Sequence, residues 1–172
     1  KTACGKCMQN YGVLSATASD PKLRDHYNAI VRDSLFTDCQ QPIRMTNAGR
    51  YRIEDTRMEG FYASGIFRCL GPRFSTGPGD TQIVHMMGSE LDGCDNGVRI
   101  GGDVQALVWG NTFVNNQFRG LLAKSNSRVS MWDNVIRYNG GLGTFELGLG
   151  GVGIDDTAQL DIFTPSHRLL SE

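Results

Sequence analysis

Apolar residues recur in phase along this chain, and that recurrence restricts its fold more than any other feature. Phe36, Met58, Leu91, Phe113 and Ile136 form one column, with spacings of 22, 33, 22 and 23 residues. Five residues before them stand Val31, Ile53, Met86, Val108 and Met131, and seven before stand Ala29, Tyr51, Val84, Ala106 and Val129. Apolar positions two apart mark a strand with one buried face. A short strand unit cannot bury that face alone. The copies must stack, so that each strand pairs with its equivalent above and below. The long gap contains residues 71–80, dense in Gly and Pro, and is read as a loop of turn formers inserted into one repeat.

A second strand follows each reference residue: residues 42–45, 65–67, 97–100, 120–123 and 151–154, with a partial earlier copy at 12–15. Ser34, Thr56, Ser89, Asn111 and Asn134 lie two residues before the reference column. These small hydrogen-bonding residues suit a turn, and stacked copies can share side-chain bonds from coil to coil. Further turns fall at residues 47–49, 101–103, 125–127 and 155–157. Leucine-rich repeats have a similar period, but Leu does not dominate these columns, and an antiparallel sandwich would not keep them in phase. The expectation is an all-β parallel solenoid of about five to six coils of ~22 residues with loop insertions. It forms a single domain over 1–172, with an incomplete first coil and loop at 1–28, regular coils over 29–163 and a C-terminal tail at 164–172.

Composition narrows the class further. The chain is 40% hydrophobic, which is enough for a core, and its 22 Gly against 5 Pro fit tight turns in β structure. A formal charge of −1 lacks the basic excess that phosphate binding wants, so nucleic acid is not expected as a partner. No run is long and apolar enough to span a membrane, and no signal peptide is visible. The start at Lys1 and the mid-coil ends suggest a processed or excised piece whose open edges are covered by caps or neighbouring chains.

Asn111-Thr112-Phe113-Val114-Asn115-Asn116 followed by Gly120-Leu121, and Asp133-Asn134-Val135-Ile136-Arg137-Tyr138-Asn139, resemble the N-x-F-x-N-N…G-I/L signature of right-handed parallel β-helix proteins. The resemblance covers residues 29–163. It implies the pectin-lyase-like superfamily, which includes polysaccharide lyases, polygalacturonases, uronan epimerases and phage tailspikes. It implies a right-handed solenoid and a secreted, cell-surface or virion-surface location. It does not imply one activity, because one fold hosts many. Residues 16–28 and 140–153 depart from the repeat and are read as loops, the first with a possible short helix.

Strand alternation sends two columns outward: Ile30, Arg52, His85, Leu107 and Ser130, then Arg32, Glu54, Met87, Trp109 and Trp132. The expected binding residues are Trp109, Trp132, Met87, His85, Glu54 and Arg32. Aromatic side chains on adjacent rungs offer an apolar platform for a sugar or a partner chain. Arg32 and Glu54 are expected to pair across rungs, and His85 has no placed acid beside it. No catalytic residue is assigned. Gly153-Ile154-Asp155-Asp156 resembles the paired-aspartate motif of polygalacturonases, but Ile154 interrupts it and no companion His-Gly or Arg-x-Lys motif is found. Residues 92–96 are rich in oxygens but lack a calcium-loop pattern. The lone Cys4-x-x-Cys7 holds half a zinc site. No cofactor or metal is expected. Cys39 and Cys94 fall on equivalent positions two coils apart, beyond disulfide reach of each other, and both are read as buried thiols. The expected function is a non-catalytic extracellular module that binds polysaccharide or another protein chain, with a homo-oligomer allowed. The alternatives are a fragment of a polysaccharide lyase, hydrolase or epimerase, or a spike or filament subunit.

Overall fold

In a computed structural model, the structure describes residues 3–4, 11–15, 27–37, 39, 41–46, 48–60, 62–63, 66–67, 70–77, 79–140, 151–155 and 157–163. They are all β and stack as a parallel β-helix with three sheets of six strands each. The first sheet contains β3 (Ala29–Arg32), β6 (Gly49–Glu54), β11 (Gln82–Met87), β14 (Val104–Trp109), β17 (Arg128–Trp132) and β20 (Gln159–Phe163). The second contains β1 (Ala3–Cys4), β4 (Leu35–Thr37), β7 (Arg57–Glu59), β12 (Glu90–Asp92), β15 (Thr112–Val114) and β18 (Val135–Arg137). The third contains β2 (Tyr11–Ser15), β5 (Gln41–Met45), β10 (Arg73–Ser75), β13 (Asn96–Gly101), β16 (Arg119–Lys124) and β19 (Val152–Ile154). Among the described residues no helix is long and apolar enough to cross a membrane.

The apolar columns are the core. Tyr51, Val84, Ala106 and Val129 pair in register, as do Ile53, Met86, Val108 and Met131, and all are buried. Met58, Leu91, Phe113 and Ile136 stack in the second sheet, and Phe113 is 0% exposed. Ile43, Met45, Phe74, Val98, Ile100, Leu121 and Ala123 close the core from the third sheet. A β-carbon at Gly97 would collide with the Phe113 ring and with the Gly120 carbonyl, so glycine there lets the third sheet approach the core.

The corner between the first and second sheets is built the same way on each rung. Asp33, Asp55, Gly88, Gly110 and Asp133 hold positive φ there, between 46° and 62°, in the left-handed region that Gly and Asp tolerate best. The next residue carries the expected side-chain ladder. Thr56 N–H donates to Ser89 Oγ at 3.2 Å, Ser89 N–H to Asn111 Oδ1 at 3.0 Å, and Asn111 N–H to Asn134 Oδ1 at 3.0 Å. Asn111 Nδ2 in turn donates to the carbonyls of Met86 and Trp109. A second ladder at the next corner has Asn116 Oδ1 accepting from Cys94 N–H and Asn139 Oδ1 from Asn116 N–H, both at 3.0 Å. Inward turn groups that would otherwise be buried unpaired are thus satisfied rung by rung.

Two expectations are corrected. In the second coil, residues 65–67 do not supply the third-sheet strand. Ile66 and Phe67 form β9 (Ile66–Phe67) of a two-stranded antiparallel hairpin with β8 (Tyr62–Ala63), off the stack. The rung belongs to Arg73–Ser75, with Phe74 buried between Met45 and Ile100. The insertion therefore precedes this strand as well as following it, and the turn-rich segment 71–80 contains a core residue. The second correction concerns Cys94. Both Cys39 and Cys94 are buried, and Cys39 is a free thiol as expected. Cys94 is disulfide-bonded, to a partner outside the residues whose side chains are described. Rung spacing excludes only Cys39 as that partner. His26, His167, Cys7, Cys69 and Asp156, and most of the two loops read at 16–28 and 140–153, lie outside the described residues.

Phe113→Ala removes a fully buried ring from an inner rung, and a loss of about 3–5 kcal/mol of stability is expected on chemical denaturation. A loss under about 1 kcal/mol would contradict the register. Alkylation before and after reduction should label Cys39 without reductant once the chain is unfolded, and Cys94 only after reduction.

Candidate functional site

All six binding residues expected from the sequence lie on the outer face of the first sheet. Arg32, Glu54, Met87, Trp109 and Trp132 occupy one cross-strand column, continued by Phe163 in the backbone register. His85 lies in the neighbouring column between Arg52 and Leu107. The alternation that buries Val108 and Met131 turns both indoles outward, and each is half-buried. Asn111 and Asn134 bond the carbonyls of Trp109 and Trp132 through Nδ2, at 3.0 and 2.9 Å, and so fix the strand ends that carry the rings.

The indole rings are parallel within 2°, with centroids 5.1 Å apart. This separation matches the rung spacing, so the ring planes lie across the solenoid axis and face one another. Stacking of this kind adds about 0.5–1.5 kcal/mol beyond area burial. It also uses the inner faces of both rings. What the pair offers outward is a ridge of ring edges, with His85 edge-on to Trp109 at 6.2 Å. Leu107, 37% exposed, lies on the rung between His85 and Ser130.

A polar cluster adjoins the ridge. Arg52 Nε and one terminal nitrogen reach Glu54 Oε2 at 2.7 and 2.6 Å, and Arg32 lies 4.0 Å from Glu54 Oε1. The expected cross-rung pair is therefore present at its outer limit, and Arg52, two residues along the same strand, is the nearer partner. Arg52 also donates to Met87 Sδ at 3.9 Å and places its guanidinium 5.8 Å from the centre of the Tyr27 ring. The Tyr27 hydroxyl sits 2.6 Å from His85 Nδ1. Burial, then the charges of Arg52 and Arg50, hold the His85 pKa below its usual 6.5. The imidazole is accordingly neutral at neutral pH, and one hydrogen bond joins its Nδ1 to the Tyr27 hydroxyl.

Tyr27 is the member that the sequence did not reveal. It precedes the first regular strand and lies 58 residues from His85. Its neighbour Asn28 accepts from Arg50 N–H through Oδ1 and donates its own N–H to the Arg50 carbonyl, which docks this segment beside the first sheet. Among the described residues no group of three or more His, Cys, Asp or Glu side chains is placed to hold a metal. Asp155 of the aspartate motif is paired with Lys124 at 3.2 Å and Arg119 at 4.0 Å. No family model matches the chain, and neither curated proteins nor solved structures give a match.

The depressed His85 pKa has a defined consequence. Its contribution to stability is fully present above pH 6.5. It is lost as pH falls through 6.5 and on through the lower folded value, because the unfolded chain takes up the proton first. His85→Gln should therefore flatten the fall in thermal midpoint across this window. Superimposable pH profiles for the two proteins would refute it.

Proposed function

We propose that this chain is a non-catalytic, extracellular binding module on a pectin-lyase-like scaffold, and that it binds a carbohydrate along the outer face of the first sheet. The observation that carries this reading is the Trp109–Trp132 stack beside Tyr27, Arg52, Glu54 and His85. An apolar ridge flanked by fixed donors and acceptors suits a ligand with apolar C–H faces and a rim of hydroxyls. Because the inner ring faces are already stacked, contact falls on the indole edges, and the polar groups supply the larger share of orientation. The disulfide at Cys94 favours an oxidising compartment. Glu54 is held between two guanidinium groups, which commit its oxygens to ion pairs and stabilise its charged form. This favours binding over hydrolysis.

A second reading, a shaft or filament subunit that buries this face against another chain, is favoured by Ile30 and Leu107. They are 51% and 37% exposed on the same sheet. Tryptophan fluorescence separates the two. A shift on titration with neutral oligosaccharides supports carbohydrate binding, whereas a shift on raising protein concentration alone supports association. Replacing both Trp109 and Trp132 by Ala should leave the cooperative unfolding transition intact and remove the ligand-dependent signal, read by calorimetry. Unfolding of the double variant would place the indoles in the core and end this proposal.

A further inference from the structure

Met87 differs from every other described methionine. Met45, Met58, Met86 and Met131 are buried in the core, whereas Met87, one residue after Met86 on β11, faces outward and is half-buried. Its rung neighbours are Glu54 on one side and Trp109 on the other. The thioether is also held from one side. The Arg52 terminal nitrogen that reaches Glu54 Oε2 at 2.6 Å donates to Met87 Sδ at 3.9 Å. That guanidinium is itself fixed, since Arg52 Nε donates to the same carboxylate oxygen at 2.7 Å. A thioether sulfur accepts weakly through either lone pair, and a donor on one leaves the other for an incoming electrophile. Sulfur is the group that mild peroxides attack, and the thiol of Cys39 is buried away from them.

We propose that Met87 is a modification site at which a hydroperoxide oxidises the thioether to one sulfoxide epimer, with Arg52 as the positioning residue. The free lone pair of Sδ attacks the terminal oxygen of the peroxide. The S–O bond forms as the O–O bond breaks, so sulfur is oxidised by two electrons and the peroxide is reduced. The transferred oxygen gives its proton to the departing oxygen, and the products are a sulfoxide and water or an alcohol. The sulfur becomes a stereocentre, so a guanidinium held over one lone pair selects the epimer. Burial keeps the peroxide from the core methionines, and the change is confined to the outer face of the first sheet. There an apolar link between Glu54 and Trp109 becomes a polar one. The step is reversible, because sulfoxide reductases exist for each epimer. This inference stands whether or not the face binds a carbohydrate.

The test treats the dilute full chain with hydrogen peroxide and follows each methionine by tandem mass spectrometry, which separates Met86 from Met87. In the folded protein Met87 should oxidise about tenfold or more faster than Met45, Met58, Met86 and Met131, and in urea all should react at about the same rate. Digestion of the excised peptide by the two epimer-specific reductases should show one Met87 epimer in about fivefold excess or more, against a near-equal mixture from the unfolded chain. Arg52→Leu removes the donor and should bring the folded ratio close to the unfolded one. Glu54→Gln loosens the guanidinium without removing it and should move the ratio part of the way, which keeps the test decisive if Arg52→Leu does not fold. Tryptophan fluorescence should change during oxidation of the wild type and stay constant over the same interval in Met87→Leu. Met87 reacting no faster than the core methionines, equal epimers from the folded wild type, an excess unmoved by the folded variants, or a fluorescence change retained by Met87→Leu would each overturn the proposal.

Discussion

The architecture depends on backbone hydrogen bonds that run along the solenoid axis, from each strand to its equivalents on neighbouring rungs. In the first sheet β11 pairs in parallel with β6 over residues 82–87 and with β14 over the same residues. No slip of register is tolerated, because a one-residue shift would turn Val84 and Met86 outward and Ile83 and His85 into the core. The corners enforce that register as firmly as the core. A positive-φ residue followed by a side chain that bonds the next rung's backbone closes each turn between the first and second sheets. Asn111 and Asn134 thereby do two things. They satisfy turn groups that face inward, and they fix the strand ends from which the indoles project.

Because the coils stack in register, each position within the repeat becomes a line of side chains on one face. Inside, the line is apolar and continuous. Outside, it can take any chemistry that its neighbours tolerate. The first sheet carries an aromatic end, Trp109 on Trp132, next to an ionic segment of Arg32, Arg52 and Glu54. The third sheet carries three successive arginines before the column turns to Leu122. Neither line adds to the core. The inward neighbours of the arginines, Met45, Phe74 and Ile100, are fully or almost fully buried.

What was legible in the sequence follows from which features repeat. The core columns, the polar turn column and the outward Trp column could be read because several copies share one spacing. The third-sheet strand of the second coil could not. Phe67 lies nine residues past Met58, as Met45 lies nine past Phe36 and Ile100 nine past Leu91, so counting from upstream selects residues 65–67. The extra residues are in fact divided, some before Arg73 and some after Ser75, and one sequence contains nothing that says on which side of a strand an insertion falls. Gly71-Pro72 and Gly77-Pro78-Gly79 around it read as turn. Only the need to fill the core between Met45 and Ile100 selects Phe74. The Tyr27–His85 bond was hidden for a related reason: it draws on a segment outside the repeat, whose placement no column predicts.

Tyr27 shows how a non-repeating segment can change the meaning of a repeating column. Taken with its column alone, His85 is a histidine beside Arg52, with no acid and no assigned role. Docked through Asn28 onto the Arg50 strand, Tyr27 brings a hydroxyl to Nδ1 and partly buries the ring. Burial and two nearby arginines then keep the imidazole neutral. A neutral His85 leaves Nε2 outside the tyrosine contact, beside an apolar ridge and a carboxylate already committed to Arg52. Such a nitrogen can make a directional hydrogen bond without carrying a charge. A protonated imidazole would instead add a third cation beside Arg50 and Arg52. The surroundings of His85 on this face are therefore set in part by a tyrosine contributed from outside the repeat.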